Sequence, residues 1–110
     1  MFFLSKKKKE LREKHREIDM VVQRVTQKSL SHVTERNVDT YVEEILGRFG
    51  GLAECGDELV VICDGHEVFR CDRYECKIGE LMSHDGATLS GFDKIENRTR
   101  SLMLYYKYYR

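Results

Sequence analysis

The stretch Cys63–Cys76, CDGHEVFRCDRYEC, contains the signal on which the fold prediction depends. Its Asp64-Gly65 pair is the strongest short signal for a β-hairpin when strand-like segments flank it. Leu59–Cys63, before the pair, is rich in β-branched residues, and His66–Cys71 follows it. The sequence therefore predicts an antiparallel hairpin at this point.

The same stretch resembles a zinc knuckle in its spacing. Cys63, His66, Cys71 and Cys76 follow the pattern C-x2-H-x4-C-x4-C, although the histidine stands second rather than third. Three thiolates and an imidazole form a sound tetrahedral zinc site. In a two-residue hairpin, however, Cys63 and His66 face one side of the strands and Cys71 faces the other. We predict the hairpin, without metal or other cofactor, and keep zinc at these four residues as the alternative.

Two helices are predicted before the hairpin. Residues 6–29 contain no helix breaker and are dominated by strong helix formers. After a loop near Ser31–Asn37, Asn37 or Asp39 can cap a second helix, which Gly50-Gly51 would end. Its apolar face would consist of Tyr41, Val42, Ile45, Leu46 and Phe49.

Further strands are predicted after the hairpin. Residues alternate between apolar and polar from Tyr74 towards Met82, and later strands are expected over Ala87–Ile95 and Ser101–Tyr109. No crossover helix separates them, so the sheet should be antiparallel. The predicted fold is α+β, with two N-terminal helices packed on one face of a four- to five-stranded antiparallel β-meander.

Length and composition predict a single domain over residues 1–110, with a flexible basic arm (1–9), a helical part (10–50) and the β-meander (57–110). Hydrophobic residues at 41% and charged residues at 35% indicate a globular chain rather than a disordered one. The longest apolar run is too short to span a bilayer, and the N-terminus lacks the order of a secretory signal. We expect a cytoplasmic protein whose cysteines are thiols or metal ligands rather than disulfides.

The net charge of zero conceals an uneven distribution. Residues 1–28 hold nine Lys/Arg against four Asp/Glu, and residues 29–86 hold five against thirteen. This layout favours contact between subunits or an anionic partner for the basic arm. No phosphate loop, nucleophile elbow or HExxH motif is present, so we predict no catalytic residue.

These features predict a small protein–protein interaction and self-association module, more a binding protein than an enzyme. We expect a homo-oligomer; another protein or a nucleic acid is an alternative partner, and a membrane is not expected. The N-terminal apolar tip and one stripe of the first helix would form the contact between copies. The residues in this predicted contact are Phe2, Phe3, Leu11, Ile18, Val22 and Val25.

Two alternative functions remain open on the sequence. Cations and aromatic rings on an exposed strand would suit single-stranded nucleic acid, which stacks on such surfaces. The residues concerned are Lys6, Lys7, Lys8, Lys9, Tyr105, Lys107 and Tyr109. The other alternative is a ligand-binding or enzymatic pocket between helices and sheet, near His66 or His84.

Overall fold

One long helix precedes seven strands in the computed structural model, which describes residues 2–37 and 39–107 and their side chains from Lys7 onward. A 3-10 turn, Arg73–Glu75, lies between the fourth and fifth strands. The helix and strands are α1 (Phe2–Thr26), β1 (Leu30–Arg36), β2 (Glu43–Cys55), β3 (Glu58–Cys63), β4 (His66–Asp72), β5 (Lys77–Glu80), β6 (Gly86–Asp93) and β7 (Arg98–Tyr106).

All seven strands belong to one sheet in the order β4-β3-β2-β1-β7-β6-β5. Every pairing is antiparallel, so the predicted antiparallel sheet is confirmed. The predicted arrangement of two helices on a four- to five-stranded meander is wrong. The described chain has one helix and is mostly β, because the segment from residue 30 to residue 55 forms two strands.

The expected second helix is replaced by a hairpin loop and the start of β2. Asn37 Oδ1 accepts hydrogen bonds from the amides of Asp39 (2.8 Å) and Thr40 (3.2 Å), as an N-cap would. Tyr41 then adopts a φ of 57°, outside the helical region, and the Asn37 amide donates to the Val42 carbonyl (2.9 Å). The capping signal is therefore genuine, but it serves a turn between β1 and β2.

The glycines expected to end that helix lie inside β2 instead. A β-carbon on Gly50 would lie 1.6 Å from the carbonyl oxygen of Ile62 in the neighbouring strand. Only glycine permits this close approach of the two backbones.

The hairpin turn at Asp64-Gly65 is present as predicted. Its φ angles are 54° and 79°, the positive values that a two-residue type I′ turn requires. The register shifts after Val61, which pairs with Phe69, so Val68 forms a β-bulge. Because of this bulge, the predicted position of Cys71 on the opposite face from Cys63 is wrong. Cys71 pairs with Leu59 and lies on the same buried face as Cys63.

The second half of α1 covers the concave face of the sheet. Val22 and Val25 are fully buried, while residues 7–14 of the helix are all exposed. Within the described residues, no helix is both long enough and apolar enough to cross a lipid bilayer. The largest fully buried apolar side chains beneath the helix are Phe69, Leu30, Leu59, Leu89, Leu102 and Leu104.

The sheet curls so far that its edge strand β4 meets the end of β6. The Arg70 amide donates to Asp93 Oδ1 (3.0 Å), and the Lys94 amide donates to the Arg70 carbonyl (2.7 Å). Arg100, on β7, donates from Nη1 to Asp93 Oδ2 (2.7 Å) and to the Val68 carbonyl (2.9 Å). These bonds join β4, β6 and β7 across the open side of the sheet.

The charges in this closure are compensated. Asp93 is 0% exposed and Arg100 is 4% exposed, and Arg100 also donates to Glu35 Oε1 (2.7 Å). Burial alone would raise the pKa of Asp93, but hydrogen bonds from Arg100 and backbone amides outweigh it and hold that pKa below its usual value. The closure is therefore a satisfied buried ion pair, and removing one partner should be costly.

Asp93→Asn is expected to lower the free energy of unfolding by about 3 kcal/mol at neutral pH, because it leaves Arg100 with one carboxylate fewer. The difference from wild type should persist down to the ordinary aspartate pKa, near 3.9, and shrink as the pH falls through the lower native pKa. Denaturant titrations over a pH series would measure it. Asp72→Asn, at a half-exposed ion pair with Lys94, is the control and should cost about 0–1 kcal/mol. Equal effects of the two substitutions would contradict the structural role of Asp93.

Candidate interaction surface

Strand β2 is longer than the strand that pairs with its outer edge. β3 pairs with β2 only from Gly50 to Cys55. Beyond that point the Asp64 amide donates to the Arg48 carbonyl (3.0 Å), and the Arg48 amide donates to Asp64 Oδ2 (3.1 Å). Among the residues that the structure describes, no strand lies against the outer edge of residues 43–47. We call residues 41–49 the β2 overhang.

Apolar side chains are concentrated on the β2 overhang. The exposed fractions are 76% for Tyr41, 55% for Val42, 57% for Ile45 and 67% for Phe49. Single exposed apolar residues are ordinary, whereas a cluster of them marks an interaction surface. Together with Leu46, these residues were predicted to form the apolar face of the second helix. The apolar pattern therefore pointed to the right residues, although the segment was predicted to be a helix and forms a loop and the start of β2.

Side chains of β1 and β7 hold the overhang in place. Glu43 Oε2 accepts hydrogen bonds from the hydroxyls of Tyr105 (2.9 Å) and Thr34 (3.2 Å). The bond from Tyr105 is the main cause that lowers the pKa of Glu43, so its negative charge is stabilised. The Tyr105 ring stacks on His32, with centroids 4.5 Å apart. The overhang is thus a braced extension of the sheet.

A second surface is the groove of about 400 Å³ between α1 and the segment that joins β4 to β5. The Tyr74 ring stacks on His15, with centroids 3.9 Å apart, and its hydroxyl donates to Asp19 Oδ1 (3.1 Å). Arg73 Nε donates to the same oxygen (2.8 Å). These contacts fix the helix against the groove floor. The apolar and thiol side chains that line the groove are Leu11, Ile18, Val21, Tyr74, Cys76 and Ile78.

The four residues of the alternative zinc site are dispersed. Cys63 pairs with His66 at the hairpin end, but Cys63 is buried and His66 is exposed. Cys71 pairs with Leu59, which is about 13 Å along β3 from Cys63 at roughly 3.3 Å per residue. Cys76 lies after the 3-10 turn, beside Cys71. In residues 2–37 and 39–107, no group of three or more histidine, cysteine or acidic side chains is placed to hold a metal ion.

The residues of the nucleic-acid alternative do not form one surface in the described chain. Lys7, Lys8 and Lys9 are exposed on α1, which packs against β2, β5 and the 3-10 turn. Tyr105 is half-buried beside the Glu43 carboxylate. The Lys107 ammonium lies 5.9 Å from the centre of the Phe49 ring. The side chain of Lys6 and all of Tyr109 fall outside the described residues.

The fold buries some of the residues that were predicted to mediate self-association and leaves another exposed. Val22 and Val25 pack in the core of their own chain, and Ile18 packs against that core. Leu11 is 54% exposed, and the side chains of Phe2 and Phe3 lie outside the described residues. Self-association therefore remains a prediction, and the β2 overhang offers four of the exposed large apolar side chains in the described residues.

Comparisons of the chain with protein-family models, with curated proteins and with solved structures gave no match. Function is therefore inferred from the geometry of the chain itself.

Purified protein is expected to contain no stoichiometric zinc, because Cys63 and Cys71 lie too far apart to share one ion. Elemental analysis after metal-free purification measures this directly, and a chelator should leave the melting temperature unchanged. Stoichiometric zinc that is lost in a Cys63→Ser, Cys76→Ser double variant, but kept in Cys55→Ser, would contradict the dispersed arrangement.

Proposed function

We propose that this chain is a protein-interaction module that self-associates through the β2 overhang. The observation that carries the proposal is the coincidence of an unpaired strand edge with four exposed apolar side chains. An open edge is a template for pairing with another chain, and proteins usually protect such edges with charges or bulges. Glu43 and Glu44 provide some protection, but the apolar side chains of Tyr41, Val42 and Ile45 oppose it.

The strand edge itself favours a second copy of the chain as the partner. In the described chain the outer edge of residues 43–47 is open in each copy, so two overhangs can pair with each other in antiparallel fashion. A two-fold axis at Ile45 would bring the exposed Ile45 side chains of the two copies together on one face, and a two-fold contact uses each residue twice.

The expected affinity is moderate. Burial of the remaining exposed surface of Tyr41, Val42, Ile45 and Phe49 contributes about 1 kcal/mol for each side chain, and the two-fold contact counts each twice. The loss of translational and rotational freedom costs about 4–15 kcal/mol. Because gain and cost are similar in size, hydrogen bonds between the paired backbones must supply most of the about 8 kcal/mol that a micromolar dimer needs.

The alternative functions have weaker support. Exposed lysines on the first half of α1 favour an anionic partner, but the Tyr105 hydroxyl is bonded to a carboxylate, which disfavours a phosphate at that point. A polar cleft of about 330 Å³ at the ends of β1 and β7 has paired charges, among them Arg98 and Arg100 with Glu35. Neither this cleft nor the groove beside α1 is lined by His66 or His84. The proposal of a cytoplasmic location rests on the four cysteines, which form no disulfide.

Wild-type protein is expected to form dimers at micromolar concentration, and Ile45→Lys should shift it to monomer because a charge would replace the apolar contact. Sedimentation velocity over a concentration series would measure the shift. Met82→Lys is the matched control, since Met82 is 97% exposed in a different loop and its replacement should leave the dimer intact.

A wild-type monomer throughout the micromolar range would overturn self-association. Dimers that Leu11→Lys abolishes and Ile45→Lys leaves intact would assign the contact to α1 instead.

A further inference from the structure

Two of the four cysteines form a buried pair beneath α1. Cys71 is 1% exposed at the end of β4, and Cys76 is 7% exposed after the 3-10 turn. The two thiols lie close enough for each to shift the pKa of the other, and Cys76 Sγ donates to the Arg73 carbonyl (3.1 Å). Cys63 and Cys55 lie outside this pair, the first buried at the hairpin end and the second exposed.

A glycine on β6 makes room for the pair. A β-carbon added to Gly91 would lie 3.2 Å from the β-carbon of Cys76 and 3.7 Å from that of Cys71. Both cysteines thus direct their β-carbons to the same point over the Gly91 backbone. The space that a side chain would fill at this position is left to the two thiols.

One member of the pair is open to a small reagent. Cys76 lines the groove between α1 and β5, whereas Cys71 is not among the groove residues and lies behind it. The groove also contains the side chains of Lys14, Glu17 and Lys77, so it carries charges of both signs near the thiol. A charged peptide disulfide could enter from the solvent side and contact Cys76 first.

The surroundings of Cys71 and Cys76 make the two thiols differ in reactivity. The neighbouring Cys71 thiol is the main cause that lowers the pKa of Cys76, and the charge of Arg73 acts in the same direction. The Cys76 thiol and burial raise the pKa of Cys71. Because Cys76 is also the thiol that lines the groove, its thiolate is the nucleophile, and Cys71 is the second thiol that resolves the intermediate.

We infer that Cys71 and Cys76 form a reversible disulfide by exchange with a low-molecular-weight disulfide of the oxidised-glutathione class. The Cys76 thiolate attacks one sulfur of that disulfide, whose sulfur–sulfur bond breaks and releases one glutathione, which takes up a proton. Cys71 then loses its proton and attacks the Cys76 sulfur, releasing the second glutathione. Two electrons pass from the protein to the small disulfide, and the new bond joins the end of β4 to the residue that precedes β5.

The sequence around the pair allows a direct test. Trypsin cleaves after Arg70, Arg73 and Lys77, so Cys71 and Cys76 fall in separate peptides, 71–73 and 74–77. Folded full-length protein is incubated with oxidised glutathione, unreacted thiols are alkylated under denaturing conditions, and the digest is analysed by mass spectrometry. We expect the two peptides to appear joined by a disulfide and to separate after reduction with dithiothreitol.

Single variants distinguish the roles of the two thiols. Cys71→Ser should trap one glutathione on Cys76, because the resolving thiol is missing, whereas Cys76→Ser should leave Cys71 largely unmodified. Cys55→Ser and Cys63→Ser should form the joined peptides as wild type does. Alkylation of both Cys71 and Cys76 in wild type after incubation, or glutathione found only on Cys55, would overturn the inference.

Discussion

The buried ion pair of Arg100 and Asp93 is the contact on which the shape of the molecule depends. It links β7 to β6, and the hydrogen bonds of the Asp93 carboxylate and the Lys94 amide with the backbone of Arg70 bring in β4, an edge strand of the sheet. Closing the sheet in this way creates the concave face that α1 covers. A buried carboxylate is costly without its donors, so the pair favours the arrangement of strands that supplies them.

The Asp64-Gly65 turn explains why β2 extends beyond its neighbour. β3 ends at this turn, where Asp64 bonds to Arg48, whereas β2 continues along β1 as far as Glu43. The outer edge of residues 43–47 is left without a strand in the described chain. The β2 overhang is therefore a consequence of where the β3–β4 hairpin turns.

The C-terminal half of the fold could be predicted from the sequence because its signals are local. Asp64-Gly65 specifies a turn through positive φ angles, and β-branched alternation marks β3. The segment from residue 30 to residue 55 could not be predicted in the same way. The Asn37 cap is common to helices and turns, and only pairing with neighbouring strands, among them β7, which is distant in sequence, selects the strand.

The candidate surfaces, like the fold, could be predicted from the sequence only in part. The cysteine pattern drew attention to the correct stretch, but the bulge at Val68 decides which cysteines meet, and a bulge has no clear sequence signal. The pairing of Cys71 with Cys76 depends further on Gly91, on another strand. The apolar residues of the β2 overhang were visible as a pattern, yet their exposure follows only from the three-dimensional arrangement.

Amide hydrogen exchange as a function of protein concentration tests the proposed contact most directly. If two β2 overhangs pair, the outward-facing amides of residues 43–47 should exchange more slowly as the concentration rises through the micromolar range. Amides of β5, the edge strand at the opposite end of the sheet order, should not change. Association of the protein with unchanged exchange at residues 43–47 would contradict pairing through the β2 overhang.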